Sequence, residues 1–185
     1  MNKTQPEANL LAGHLWQHRG QARPAFAAES GKGQESVWDY PRPPVLVEDS
    51  RLVEVRIDER LIARTTRALR VLETASPPTF YLPRDDVRMD LLQPASGHSF
   101  CEWKGQASYF DLRSGNAMIA RAAWSYRRPL DVFARISDRI GFYPGRIACY
   151  VDGEHVGSQA GGFYGGWVTN EIVGPFKGEP GTGGW

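Results

Sequence analysis

From Val45 to about residue 156 the apolar positions come in short runs separated by polar, glycine or proline breaks, the spacing of strands rather than of long helices. Val45 and Val47, then Leu52, Val53, Val55 and Ile57, bracket Asp49-Ser50, which predicts a bend or a hairpin. Asp58-Glu59-Arg60 is the next turn and leads into Leu61 to Thr66. Leu69, Val71 and Leu72 fit a helix or a strand, and Ser76-Pro77-Pro78 ends that element either way. Thr79-Phe80-Tyr81-Leu82 is a short strand closed by Pro83, and Arg84 to Leu92 reads as a short helical turn or loop. From Ser99 to Tyr126 the strand pattern firms. Ala107 and Tyr109 share one face, Ser108 and Phe110 the other, and Arg113-Ser114-Gly115-Asn116 turns the chain into Ala117 to Trp124 as a hairpin. Pro129 to Ser137 is the best helix, with Pro129 in the first turn, Asp131 at that end and Val132, Phe133 and Ile136 spaced for one face. Ile140 to Tyr143 and Ile147 to Val151 close the set, with Asp152-Gly153 turning to Glu154.

Outside this body the pattern weakens. Residues 1–36 are polar and lack sustained periodicity, so they are expected to form an irregular arm, with Leu10, Leu11, Leu15 and Trp16 offering one short amphipathic turn. Val37 to Pro44 holds Pro41, Pro43 and Pro44, which predicts an extended strap anchored by Trp38 and Tyr40. Residues 157–185 are rich in glycine and aromatics and are expected to wrap the body as an ordered tail. The division is therefore an arm (1–36), a β domain with its strap (37–156) and a wrap (157–185). The fold class is mainly β, α+β at most, with antiparallel hairpins and one short helix.

At 185 residues, 41% hydrophobic and 23% charged, the chain has the makings of one soluble domain with extensions. A net charge of +1 gives no electrostatic footprint for nucleic acid or an anionic membrane, and neither is expected as a partner. No run approaches the roughly 18 apolar residues of a membrane span, and Met1 to Gly20 lacks the apolar centre of a signal peptide. Cys101 and Cys149 are too few for a disulfide framework, so reduced thiols and a cytoplasmic setting are expected.

The chemistry concentrates between Cys101 and Tyr126. Here Cys101, Glu102, Trp103, Lys104 and Tyr109, then Trp124 and Tyr126, mix a thiol, an ammonium, phenols and indoles within strand-like segments. Such groups need polar partners when buried, so the mix suits a ligand pocket better than a dry core. Trp124 and Tyr126 lie two apart and share a strand face, Tyr109 on the partner strand can join them, and Tyr143 can close the same pocket. The competing reading makes these aromatics plain core. Lys104 is either a snorkelling surface lysine or a pocket ammonium for a carboxylate or phosphate, and Gly105 beside it allows close approach. An ammonium near Cys101 would favour its thiolate; the alternative is an inert, buried cysteine. Cys101 and Lys104 are thus the candidates for any catalysis. No cofactor is implied.

Other constellations are weaker. His98 with Cys101 and Cys149 with His155 lack tight zinc-ligand spacing, so no metal is expected. His14 and His18 have helical chelate spacing in a polar arm, and Arg84-Asp85-Asp86 reads as a solvated turn with internal ion pairs. No nucleophile elbow, Walker loop or dinucleotide fingerprint is present.

Taken together, Tyr81-Leu82-Pro83, Cys101-Glu102-Trp103-Lys104-Gly105 with Ala107 and Tyr109, Ala123-Trp124-Ser125-Tyr126 with Pro129, and Gly141-Phe142-Tyr143 resemble the bacterial and fungal family known as domain of unknown function 427. The strap at Trp38 to Pro44, Cys149 to Glu154 and the Phe163 to Lys177 tail are similar to its longer, actinobacterial-type members. The resemblance implies a strongly bent β arrangement of the β-tent type. It implies little about activity, and the nucleotidyltransferase label attached to the family finds no glycine-serine and paired-aspartate motif here. The function expected is an uncharacterised protein with a small-molecule pocket around Lys104. The alternatives are an enzyme using Cys101 or Lys104 and, more weakly, an interaction module built on the aromatic tail.

Overall fold

The computed structural model describes residues 16–185. In chain order the strands are β1 (Glu35–Ser36), β2 (Val45–Asp49), β3 (Val53–Ile57), β4 (Arg60–Thr65), β5 (Ala68–Glu73), β6 (Ser76–Tyr81), β7 (Leu92–Cys101), β8 (Gly105–Ser114), β9 (Ala117–Ser125), β10 (Ile140–Phe142), β11 (Ala148–Val151), β12 (Glu154–His155), β13 (Gly157–Ser158), β14 (Trp167–Val168) and β15 (Ile172–Val173). Three antiparallel sheets form the body, in the orders β10-β9-β8-β7, β12-β11-β3-β4 and β2-β5-β6. Two small pairs complete it: β13 with β14, and β1 parallel to β15, which ties the segment before the strap to the tail. The fold is mainly β, as the short-run pattern predicts. No described helix is long and apolar enough to cross a membrane.

Turn chemistry explains the hairpins. Gly115-Asn116 joins β8 to β9, with Ser114 paired to Ala117 and Gly115 in the left-handed region at φ +57°. Asp58-Glu59 joins β3 to β4 in the same way, with Ile57 opposite Arg60. Asp49-Ser50 is a bend and not a hairpin: β2 pairs with β5 and β3 with β4 and β11, so the chain changes sheet there. Residues 69–72 settle as strand. Ser76-Pro77-Pro78 ends that strand but also opens β6, three residues before the short run at Thr79. A sheet edge tolerates prolines that cannot donate to a ladder, and β6 is the edge of its sheet. β7 likewise begins at Leu92, well before Ser99, because Pro94 and Gly97 sit in a register break and do not end the strand.

The longest described helical segment falls where Pro129 predicts it, as a 3₁₀ helix over Asp131–Ile136. Its three-residue turn aligns Phe133 with Ile136, and both are buried, while Val132 faces solvent at 73% exposure. Val132 therefore does not share the buried face expected from α-helical spacing. In the strap, Trp38 and Tyr40 are buried after a short 3₁₀ turn at Val37–Asp39. In the tail, Trp167 is fully buried, stacks on Phe80 at 4.7 Å and donates its indole N–H to the Phe142 carbonyl at 3.0 Å. The turn expected around Leu10, Leu11 and Leu15, and His14 of the histidine pair, lie outside the described residues.

The largest core lies between the sheets around Val53, Ile62, Leu82, Leu112, Ile140 and Phe142. A second cluster, around Tyr81, Trp103, Tyr109, Trp124, Tyr126 and Ile136, occupies the neighbouring face of the β7-β8-β9 sheet. It is rich in polar-edged aromatics, and it is hollow.

Candidate functional site

The site begins at the reversal between β7 and β8. Cys101 pairs with Gly105, so Glu102, Trp103 and Lys104 form the connecting loop, and Gly105 takes the φ of +92° that this return requires. The Lys104 carbonyl accepts from the Leu130 N–H at 3.2 Å, which pins the loop to the segment after β9. Residues three apart on a straight strand would point to opposite faces. Here the chain turns back between them, and Lys104 and Cys101 line the same cavity.

Next to the loop, Tyr109 on β8 and Trp124 on β9 are directly opposite in register, with Ala107 alongside. Trp124 is in turn opposite Gly141 on β10. Tyr126 follows β9, Tyr81 ends β6 and Tyr143 follows β10. These side chains surround a cavity of about 210 Å³. The structure thus brings Cys101, Lys104, Tyr109, Trp124, Tyr126 and Tyr143 together around one space.

Polar contacts hold the aromatic wall in place. Trp124 donates its indole N–H to the Tyr81 hydroxyl at 3.3 Å, and the Ser99 and Tyr109 hydroxyls are 2.7 Å apart. Tyr143 tilts against Trp124 with ring centres 4.4 Å apart. The indole N–H of Trp103, another wall residue, is buried with no acceptor. Lys104 is only 9% exposed. Burial alone would discharge it, but the Cys101 sulfur, the Tyr81 oxygen and the Glu73 carboxylate more than offset this and hold its pKa above the ordinary lysine value. It remains an ammonium. Among the described residues it forms no ion pair, since Glu73 is engaged by Arg42 at 3.3 Å. Burial raises the phenols of Tyr81, Tyr126 and Tyr143, so all three are neutral hydrogen-bond donors at physiological pH.

The rest of the wall is less legible in the sequence. Lys177 of the tail is nearly buried, with its ammonium 3.4 Å above the Trp16 ring, and Arg42 lies 4.5 Å from the same ring. Burial first and Arg42 second pull Lys177 down to about 8. No periodicity marks Lys177 or Glu73, and Trp16 stands out only as part of the short amphipathic turn expected in the arm. Tyr81 has a signal, since it closes a β-type run just before Pro83, but nothing in the sequence aims it at Lys104.

The remaining candidates are structural. Asp86 accepts from the Thr65 hydroxyl at 2.6 Å and from Arg67 at 2.8 Å, which makes Arg84-Asp85-Asp86 a tethered turn. Cys149 is buried in the main core, and burial pushes its thiol well up. Both cysteines are free thiols. Among the described residues no group of three or more His, Cys, Asp or Glu could hold a metal ion.

The family model described as a domain of unknown function (DUF427) matches residues 45–154, and the chain belongs to that family. The match takes in β2 to β11 and all of the cavity wall contributed by the body, but not Lys177 or Tyr164 of the tail. No curated protein matches this chain.

Proposed function

We propose that this DUF427 protein binds a small anionic molecule with a flat, apolar or aromatic body in the cavity around Lys104. One observation carries the reading: a buried ammonium without a carboxylate partner faces a cavity walled by aromatics. The groups that now favour its charge are a thiol, a phenol and a carboxylate already engaged by Arg42, and an anionic ligand would add a direct charge-assisted contact. The neutral phenols around it and the unpartnered Trp103 N–H add donors, which call for an acceptor. A carboxylate or phosphate supplies what is lacking. Trp124, Tyr143 and the other aromatics of the wall offer apolar surface for a flat body, and the phenols offer polar edges. At about 210 Å³ the cavity is below the roughly 300–1,000 Å³ of drug-sized sites, which favours a single ring with one acidic group over a nucleoside triphosphate.

Thermal melts and calorimetry with benzoate, phenyl phosphate and adenine nucleotides test this on the wild type and on Lys104→Met, which keeps most of the apolar stem. A ligand at a hundred times its Kd stabilises by about 2.7 kcal/mol, an easily read shift. The single-ring anions should shift the wild type and bind Lys104→Met about tenfold or more weakly, the loss of one charge-assisted contact. Equal binding to both proteins, or no binding of any anion to the wild type, refutes the proposal.

A further inference from the structure

Holding an anion makes no use of the Cys101 sulfur, yet the same loop carries both groups to the same cavity. Cys101 is partly exposed and lines that space, whereas Cys149 is sealed in the main core with its sulfur 3.5 Å from the Ile147 carbonyl. The β7-β8 reversal brings Lys104 and Cys101 to the wall of one cavity, and Gly105 and the Leu130 hydrogen bond fix that reversal. Lys104 is nine-tenths buried and free of any ion pair among the described residues, so a carboxylate bound to it sits on the same loop as the sulfur. An electrophilic carbon close to the acid group would then face a nucleophile across the same cavity.

We propose that Cys101 is a covalent capture site for small electrophiles carrying a carboxylate, with Lys104 holding the acid group while the sulfur attacks the electrophilic carbon near it, the α-carbon of a haloacetate or the β-carbon of a conjugated acid. This rests on the anion-binding reading of Lys104. For a conjugated unsaturated acid the sulfur's electron pair forms a C–S bond at the β-carbon. The alkene π pair moves to the α-carbon, which takes a proton from solvent and so balances the one lost by the thiol. For a haloacetate the C–S bond forms as halide leaves with its bonding pair, and the thiol proton passes to buffer. Neither step needs an oxidant, a reductant or a metal. The gain comes from holding the reacting atoms together, which converts a bimolecular collision into a reaction within one complex.

Iodoacetate and iodoacetamide deliver nearly the same carbon with and without a carboxylate, and the ratio of their alkylation rates isolates the contribution of Lys104. The rates are read by intact-protein and peptide mass spectrometry, with N-acetylcysteine as the free-thiol reference and Cys149 as the internal control. Relative to the reference, the folded wild type should favour iodoacetate by about tenfold or more, the effect of one charge-assisted contact. Benzoate should slow iodoacetate at Cys101, Cys149 should stay unmodified, and Lys104→Met should return the ratio to the reference value. If Lys104→Met does not fold, the wild-type ratio and the benzoate protection still decide. A ratio equal to the reference while benzoate still raises the melting temperature overturns covalent capture and leaves the anion pocket standing. A reference ratio with no benzoate binding overturns both.

Discussion

Trp124 lies across a glycine, and replacing that glycine tests the geometry of the cavity wall directly. Gly141 is the cross-strand partner of Trp124, and a Cβ built on it would stand 2.6 Å from the indole Cε2 and Cζ2. The ring has little room to retreat, because a Cβ on Gly165 of the tail would be 2.2 Å from its Cη2. Gly141 does not use the left-handed region. At an uncrowded site Gly→Ala would therefore stabilise by about 0.4–1 kcal/mol through the unfolded chain. Overpacking a tight site opposes this by about 1–3 kcal/mol. With the indole confined on two sides, overpacking should outweigh the gain from the unfolded chain, and Gly141→Ala should destabilise by about 1–2 kcal/mol. Urea unfolding of Gly141→Ala, Trp124→Phe and the double variant provides the assay. Phenylalanine withdraws the outer edge of the indole, so the pair should show a favourable coupling of about 1 kcal/mol in the double-mutant cycle. Additivity within about 0.5 kcal/mol, or a Gly141→Ala protein as stable as the wild type, would refute the close approach. Gly115→Ala is the contrast: nothing lies within 4 Å of its Cβ, so only left-handed strain of about 1–2 kcal/mol acts, and no change at Trp124 should couple to it.

Two further predictions concern charge. The Asp49 carboxylate, 4% exposed, is held by Arg51 at 2.6 Å and Arg70 at 3.1 Å; burial alone would raise its pKa, but the arginines bring it below the ordinary value. A carboxyl depressed in the fold contributes stability above its unfolded pKa and loses it as pH falls through the folded one. Asp49→Asn should therefore destabilise by about 3 kcal/mol near neutral pH and flatten the acid limb of the stability curve, whereas parallel acid limbs would contradict the pairing. Lys177 is shifted the other way for a base, down to about 8. Between about 8 and the ordinary lysine value the unfolded chain binds the proton that the folded one has shed, so stability rises with pH there. Denaturation of the wild type and Lys177→Met across that window should show this rise in the wild type alone.

The fold is legible wherever local chemistry and tertiary demand agree. Gly115-Asn116 is a turn by its own residues, and the alternation through Ala107 and Tyr109 fixes the β8 faces without outside help. The sequence misleads where a residue's intrinsic preference is overridden by position. Pro77 and Pro78 look like breakers until the strand they open proves to be an edge, and Pro94 and Gly97 until the ladder skips a register around them. Asp49-Ser50 reads as a bend or a hairpin, and the choice stays open because a sequence shows that the chain bends but not which sheet it rejoins. Val132 falls on the wrong face when 3.6 residues per turn are assumed for a segment that winds at three.

At the site the same distinction separates the residues that local pattern gathers from those it does not. Trp124, Tyr126 and Tyr109 are two apart on one strand or opposite on its partner, so periodicity alone gathers them on one face. Lys104 and Cys101 are separable from ordinary surface and core residues only through the turn between them, which Gly105 signals. Tyr81, Glu73 and Lys177 reach the cavity from another sheet and from the tail, and no local pattern encodes those crossings. They also change the electrostatics most. Glu73 is drawn off by Arg42, and Lys177 is discharged in part by burial and by that same arginine. Lys104, by contrast, stays fully charged and forms no ion pair among the described residues. The feature that best defines the site is therefore a residue visible in the sequence, made distinctive by neighbours that are not.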